Sequence, residues 1–249
     1  MKFEVTILGS SSATPIFNRN PTSQLLNYNE KLFLIDCGEG TQQQLLRYGF
    51  KAPKIDHIFI SHLHGDHYLG LVGLLSSLHL IGRTKPMNIY GAPELKEIIE
   101  IQFKHSQTNL RYPINFRATQ SQTPEVIFED SEITVETIIL SHRIACTGFK
   151  FSERKRLPKI IREKIEQYQI PVDYIPLIKK GYVYTDKSGR AFQPDELTTP
   201  PDVPRSYAYC SDTICNWEYL NSIRGVDLLY HEATFLHDML ERATETFHT

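Results

Sequence analysis

Ser61-His62-Leu63-His64-Gly65-Asp66-His67 (SHLHGDH) is the stretch whose reading decides the fold. It follows IDHIFI, residues 55–60, a β-rich run that stops at Ser61. His62 and His64 stand two apart at the end of that strand, where extended backbone projects both to the same side. Gly65 permits a sharp turn, and Asp66 and His67 then fall at the entrance of an expected helix. Four potential ligands within six residues, in a chain holding ten histidines, mark a metal site rather than packed or solvated imidazoles. Imidazole with carboxylate suits zinc, with manganese or iron as competitors, and disfavours magnesium and calcium.

Working outward, short apolar strands alternate with helical patterns. Strands are expected at residues 3–8, 32–35, 126–128, 133–140, 206–209 and 226–230, and in the run MNIY. Helices are expected in EGTQQQLLRYG, closed by Gly49, in the apolar stretch 68–81, closed by Gly82, and over 93–104. This order predicts an α/β layered protein, and without repeats or a linker we expect one domain over 1–249.

A second metal needs donors from later in the chain. His142 follows the strand ITVETIIL, Asp212 follows SYAYC, His231 follows VDLLY, and His248 stands near the end. Each alone is weak, but strand-terminal His and Asp residues are what a site at one sheet edge requires. His57 lies within a strand, and His79 and His105 in or beside helices, so these three are expected to pack or face solvent. His237 is unassigned.

The net charge of -2 and pI near 6.6 exclude a global field that draws polyanions, so RNA or DNA binding would need a local patch. Such a patch exists at 150–166 (KFSERKRLPKIIREKIE), with seven Lys/Arg against three Glu, and Ile161, Ile165 and Tyr168 suggest a short amphipathic helix after Pro158. A solvated charged face is the plainer reading. Cys37, Cys146, Cys210 and Cys215 lack paired metal-site spacing and read as buried, reduced thiols of a cytoplasmic protein. The N-terminus reads as a strand, not a signal peptide, and no apolar run nears the roughly 18 residues of a membrane span.

LGSSSATP with Arg19-Asn20, IDCGEGTQQQL, SHLHGDH with GLVGLL, the SHR and SDT turns, and HEATF together resemble the short form of ribonuclease Z, within the metallo-β-lactamase superfamily. SHLHGDH indicates only the superfamily; IDCGEGTQ and HEATF are the more specific signals. The resemblance implies an αββα sandwich with a basic arm, here over 150–180. It implies two zinc ions, one held by His62, His64 and His142 and the other by Asp66, His67 and His248, with Asp212 bridging. Asp66 would help deprotonate the attacking water, and His231, oriented by Glu232, would protonate the leaving 3'-oxygen. The implied reaction is hydrolysis that removes the 3' trailer of precursor tRNA and leaves a 3'-hydroxyl, in a homodimer. Departures from the family pattern are IPVDYIP in the arm, Phe17 in the early loop, and a chain that stops at Thr249. Because chain ends fray, His248 is expected to be a poorly held ligand unless the native polypeptide continues. A small-ester hydrolase of the same superfamily and a non-catalytic RNA-binding scaffold are the competing readings.

Overall fold

The computed structural model describes residues 2–13 and 16–249, so Thr14 and Pro15 of the LGSSSATP motif lie outside the described residues. Two compact units emerge, the first comprising Met1–Phe128, Val135–Phe151 and Ser206–Thr249, the second Glu129–Thr134 and Ser152–Arg205.

In the first unit, β1 (Phe3–Gly9), β2 (Ser23–Tyr28) and β3 (Lys31–Ile35) form an antiparallel meander. β4 (Ile55–Phe59), β5 (Met87–Gly91) and β6 (Ile114–Ala118) continue the same sheet in parallel. Parallel neighbours require crossovers. These are supplied by α1 (Thr41–Arg47), by α2 (Gly65–Tyr68) with α3 (Leu71–Leu80), and by α4 (Glu94–His105). A second sheet has the order Leu228–His231, Ser206–Cys210, β9 (Cys146–Glu153), β8 (Ile133–Leu140), β7 (Val126–Glu129).

The alternation of β3 shows how the layers form. Leu32 and Leu34 pack with Leu71, Leu74, Leu78 and Ile99 on the helix side. Phe33, between them, turns the other way and meets Phe128 and Phe151 of the second sheet at ring separations of 5.7 and 5.8 Å. Tyr219 and Leu220 cover Ile138, Ala208 and Cys210 on the outer face of the second sheet. The result is helix, sheet, sheet, helix, as the resemblance implied. β2 was not marked by the sequence reading, because a strand buried on both faces shows no alternation: all six of its residues are buried. Among the described residues, no helix is long and apolar enough to cross a membrane.

Two glycines let the first two crossovers close onto one another. A Cβ on Gly70 would lie 2.3 Å from the Gly38 carbonyl oxygen, and one on Gly38 would lie 2.3 Å from that of Asp66. The backbones are pinned at this distance by Cys37 N–H donating to His67 O (2.7 Å) and Gly70 N–H donating to Cys37 O (2.9 Å).

The second unit extends beyond the arm expected over 150–180, to Arg205. Ile165, Ile170, Ile178, Tyr184, Phe192 and Leu197 give it a small core of its own. Its helix begins at Arg162, not directly after Pro158, because Lys159–Ile160 is drawn into a two-stranded ladder with Thr198–Thr199. Glu153, nearly buried, is gripped by Arg205 through two guanidinium nitrogens at 2.8 and 3.0 Å. The positive excess of 150–166 is largely spent on such pairs: Arg154 meets Glu129, Arg156 Glu153, Lys159 Asp202 and Arg162 Glu166. Lys150 likewise pairs with Glu136, and Lys164 donates to the carbonyl of Glu196.

The close approach of residues 37–38 to 66–70 is testable. Gly70→Ala should destabilise the protein by about 1–3 kcal/mol through overpacking. Urea unfolding with unchanged stability would show that the contact relaxes freely.

Candidate metal centre

The SHLHGDH segment behaves as its pattern predicts: β4 ends at Phe59, residues 60–64 stay extended or bent, and α2 begins at Gly65. All seven expected ligands, His62, His64, Asp66, His67, His142, Asp212 and His248, converge at one edge of the first unit. Asp212 is the hub. Its Oδ2 lies 3.6 Å from His62 Nε2 and His67 Nε2, and 4.0 Å from His142 Nε2 and His248 Nε2.

Hydrogen bonds at the far side of each ring decide which nitrogen is free. Phe247 O, which can only accept, lies 2.9 Å from His142 Nδ1, so that nitrogen carries the hydrogen and Nε2 keeps its lone pair. Ser61 Oγ donates its single hydrogen to Asp36 Oδ2 (2.9 Å) and is left to accept from His62 Nδ1 (3.0 Å). His67 Nδ1 donates to Asp36 Oδ2 at 2.7 Å. The nitrogens that remain face one another: His64 Nδ1 is 3.1 Å from both His62 Nε2 and His142 Nε2.

This arrangement fits a divalent cation. Ligand nitrogens on a tetrahedral zinc stand roughly 3.3 Å apart, close to the observed spacing. His67 Nε2 supplies a second sign, being buried without a hydrogen-bond partner while it lies 3.4 Å from Asp66 Oδ2. Burial and the neighbouring imidazoles hold the pKa of His62 well below its ordinary value, which keeps it a neutral ligand. For His67, burial works against protonation, but Asp36 and the other two carboxylates overcome it and raise the pKa well above normal. A cation entering there replaces that proton. Asp66 is pushed up by burial, yet His67 and the Ala13 amide (2.9 Å) more than compensate and hold it at about 2.

Two expectations change. The carboxylate of Glu232 does not orient His231: Oε1 accepts from His248 Nδ1 at 3.0 Å, from Thr213 N–H at 3.1 Å and from Thr249 N–H at 3.1 Å. His231 donates from Nδ1 to the Glu232 carbonyl (2.7 Å) and accepts at Nε2 from Tyr219 OH (2.8 Å), so neither nitrogen faces the centre. His248 is not frayed. Its N–H donates to Ala243 O (2.9 Å), and Thr234 and Phe235 N–H donate to Thr249 O at 2.7 and 3.0 Å. Phe247, just before His248, is left-handed (φ +59).

Other expectations resolve simply. His57 packs in the sheet interface against Phe33 and Phe128, His79 Nδ1 accepts from Arg111 N–H, and His105 closes α4. Cys37, Cys146 and Cys210 are buried free thiols, but Cys215 is exposed. The reading missed Asp36, although the signal was present: like the ligands, it ends a strand, in IDCG. Its buried carboxylate also accepts from Ser61 N–H (2.7 Å) and Tyr209 OH (2.6 Å).

A four-layer sandwich with His and Asp donors gathered at one edge defines a metal-dependent hydrolase of the metallo-β-lactamase fold. The solved metallo-β-lactamase-fold protein YhfI from Bacillus subtilis shares this architecture, with a TM-score of 0.63 and 19% identity over 98% of this chain and 76% of that one. A family model described as Anti-Pycsar protein Apyc1 matches residues 3–153, which ends before Asp212, Glu232 and His248. Full-length relatives decide between branches. Ribonuclease Z of Bacteroides fragilis is 45% identical over 248 residues, covering 100% of this chain and 82% of that protein. That of Cytophaga hutchinsonii is 46% identical over 250 residues, covering 100% and 80%. The crystal structure of the short form of human tRNase Z superposes with a TM-score of 0.71 at 26% identity, covering 98% and 83%. The chain belongs to the ribonuclease Z family.

Asp36 supports the ligands without touching the centre, so its removal separates support from ligation. Asp36→Asn places an amide against three donors and should cost about 2–5 kcal/mol of stability, together with metal affinity. Urea unfolding and metal analysis check this; a stable variant with full metal content would refute the role.

Proposed function

We propose that this chain is a zinc-dependent endoribonuclease that removes the 3' trailer of precursor tRNA, leaving a 3'-hydroxyl. The observation that carries the reading is the Asp212 hub, with four imidazole nitrogens within 4.0 Å of one carboxylate oxygen, in a chain similar to ribonuclease Z over its full length. His62, His64 and His142 would hold one ion, Asp66 and His67 the other, with Asp212 between them. The nitrogen-rich donor set favours zinc over harder cations. Metal held there would supply a water of lowered pKa and positive charge for the phosphoryl oxygens.

The protein's own groups divide the proton transfers. Asp66, held by the Ala13 amide, would take a proton from the attacking water, a task open to so weak a base only where that water is acidic. His248 delivers a proton to the leaving 3'-oxygen. Glu232 fixes its Nδ1, raises its pKa against the effect of burial and leaves Nε2 toward the cavity. This assigns to His248 the role that the resemblance gave to His231, and removes His248 from the ligand set. His231, bonded at both nitrogens, is instead a brace for the Glu232 backbone.

Contacts to the RNA body fall to the second unit in this reading. Its exposed ion pairs are weak enough, at about 0–1 kcal/mol each, to yield to phosphates. Assembly as a homodimer is supported by apolar surface at Leu46, Tyr48, Leu80 and Ile81, on α1, α3 and the turns after them. Sedimentation tests that assembly.

Purified protein should cut a precursor tRNA bearing a 3' trailer, and chelation should abolish the cut. His248→Ala should lower kcat by about 10²–10⁴-fold, the range for loss of a general acid, with metal content unchanged. Loss of one metal equivalent instead would return His248 to the ligands, and an uncut precursor would refute the reading.

A further inference from the structure

The cavity at the candidate metal centre, about 340 Å³ in volume, is lined by residues that include three carboxylates, those of Glu39, Asp66 and Asp212. Arg143 is the only Lys or Arg among the lining residues. It is exposed and, among the described residues, makes no ion pair or hydrogen bond, whereas Arg83, Arg117, Arg154, Arg162 and Arg205 are all tied to carboxylates or carbonyls. A guanidinium beside three carboxylates would ordinarily pair with one. Here those of Asp66 and Asp212 are turned toward the imidazoles.

The base of Arg143 is firmly placed. Ser141 N–H donates to Thr213 Oγ1 (3.1 Å), Ser141 O accepts from Ile214 N–H (2.9 Å), and the His142 ring is bonded to Phe247 O. Arg143 lines the cavity together with His64 and His248. A planar fork of donors that stands unpaired at the mouth of a cleft suits a tetrahedral oxyanion with two oxygens to offer.

We propose that Arg143 binds the phosphodiester that is cut, gripping its non-bridging oxygens and holding the phosphorus against the metal centre. This rests on the function proposed above. The carboxylates make the cleft repel a phosphate until cations are present, and Arg143 adds a fixed charge from the protein itself. The grip tightens as charge develops on those oxygens, so it acts on turnover more than on substrate affinity.

The test compares wild type, Arg143→Ala and Arg143→Lys as metal-loaded proteins on a precursor tRNA and on bis(p-nitrophenyl) phosphate, with metal content measured for each. Arg143→Ala should lower kcat on both substrates by about 10²-fold, the cost of removing one oxyanion donor, with metal content intact. Arg143→Lys should recover only part of this, since it restores the charge but not the fork, and added guanidinium should partly rescue the Ala variant. An Ala variant that keeps wild-type turnover on the diester, or that fails only by losing metal, overturns the proposal. Wild-type protein that cleaves the diester but not the precursor would refute the RNA assignment alone, while the diester still reads the grip.

Discussion

The buried carboxylate of Asp36 is the constraint on which the rest of the site depends. It stands at the end of β3 in a left-handed conformation (φ +53), fully buried, and accepts from the Ser61 amide, the Ser61 hydroxyl, His67 Nδ1 and Tyr209 OH. Those donors come from the end of β4, from α2 and from the strand Ser206–Cys210. One side chain therefore joins both sheets to the crossover after β4. A buried charge is tolerable only when its lone pairs are filled, so the four contacts are mutually dependent. The left-handed turn at Asp36 and the close approach at Gly38 are the local conditions that allow it.

The same network sets the chemistry of the ligands. Because Asp36 takes the hydrogens of Ser61 Oγ and His67 Nδ1, it leaves Nε2 of both His62 and His67 bare and aimed at Asp212. Without a cation, bare nitrogens and carboxylates in one buried cluster repel or must take up protons, and the raised pKa of His67 is that cost made visible. Folding thus prepares a site whose stability is completed by metal. Outer partners of this kind orient ligands and tune their basicity.

Much of this was legible in the sequence for a physical reason. Ligands at strand ends must follow a β-rich run, and SHLHGDH, LSHR and YCSDT all do so. The six candidate donors from His62 to Asp212, which the fold brings together, could be picked out because each is tied to its own local pattern. What stayed hidden depends on tertiary pairing. Nothing local in HEATF says whether the Glu232 carboxylate turns to His231 beside it or to His248 sixteen residues on. β2 was hidden because burial on both faces erases its alternation, and the second unit because its strands are two residues long. The pairing of the basic segment was hidden for the same reason as that of Glu232, since partners that neutralise it lie far along the chain, at Asp202 and Glu129.

Asp36 and Glu232 solve one problem from opposite sides. Each accepts from the Nδ1 of a histidine whose Nε2 lies within 4.0 Å of Asp212 Oδ2, so each fixes a ring and its tautomer together. They differ in what the ring meets. His67 is buried among carboxylates and has no outlet except a cation, whereas His248 is partly exposed and lines the open cavity. In the function proposed here the same carboxylate–imidazole pair would serve a ligand in the interior and a proton carrier at the rim. Burial, more than residue type, separates the two settings: His67 is enclosed with Asp36, Asp66 and Asp212, while His248 stays within reach of whatever occupies the cavity.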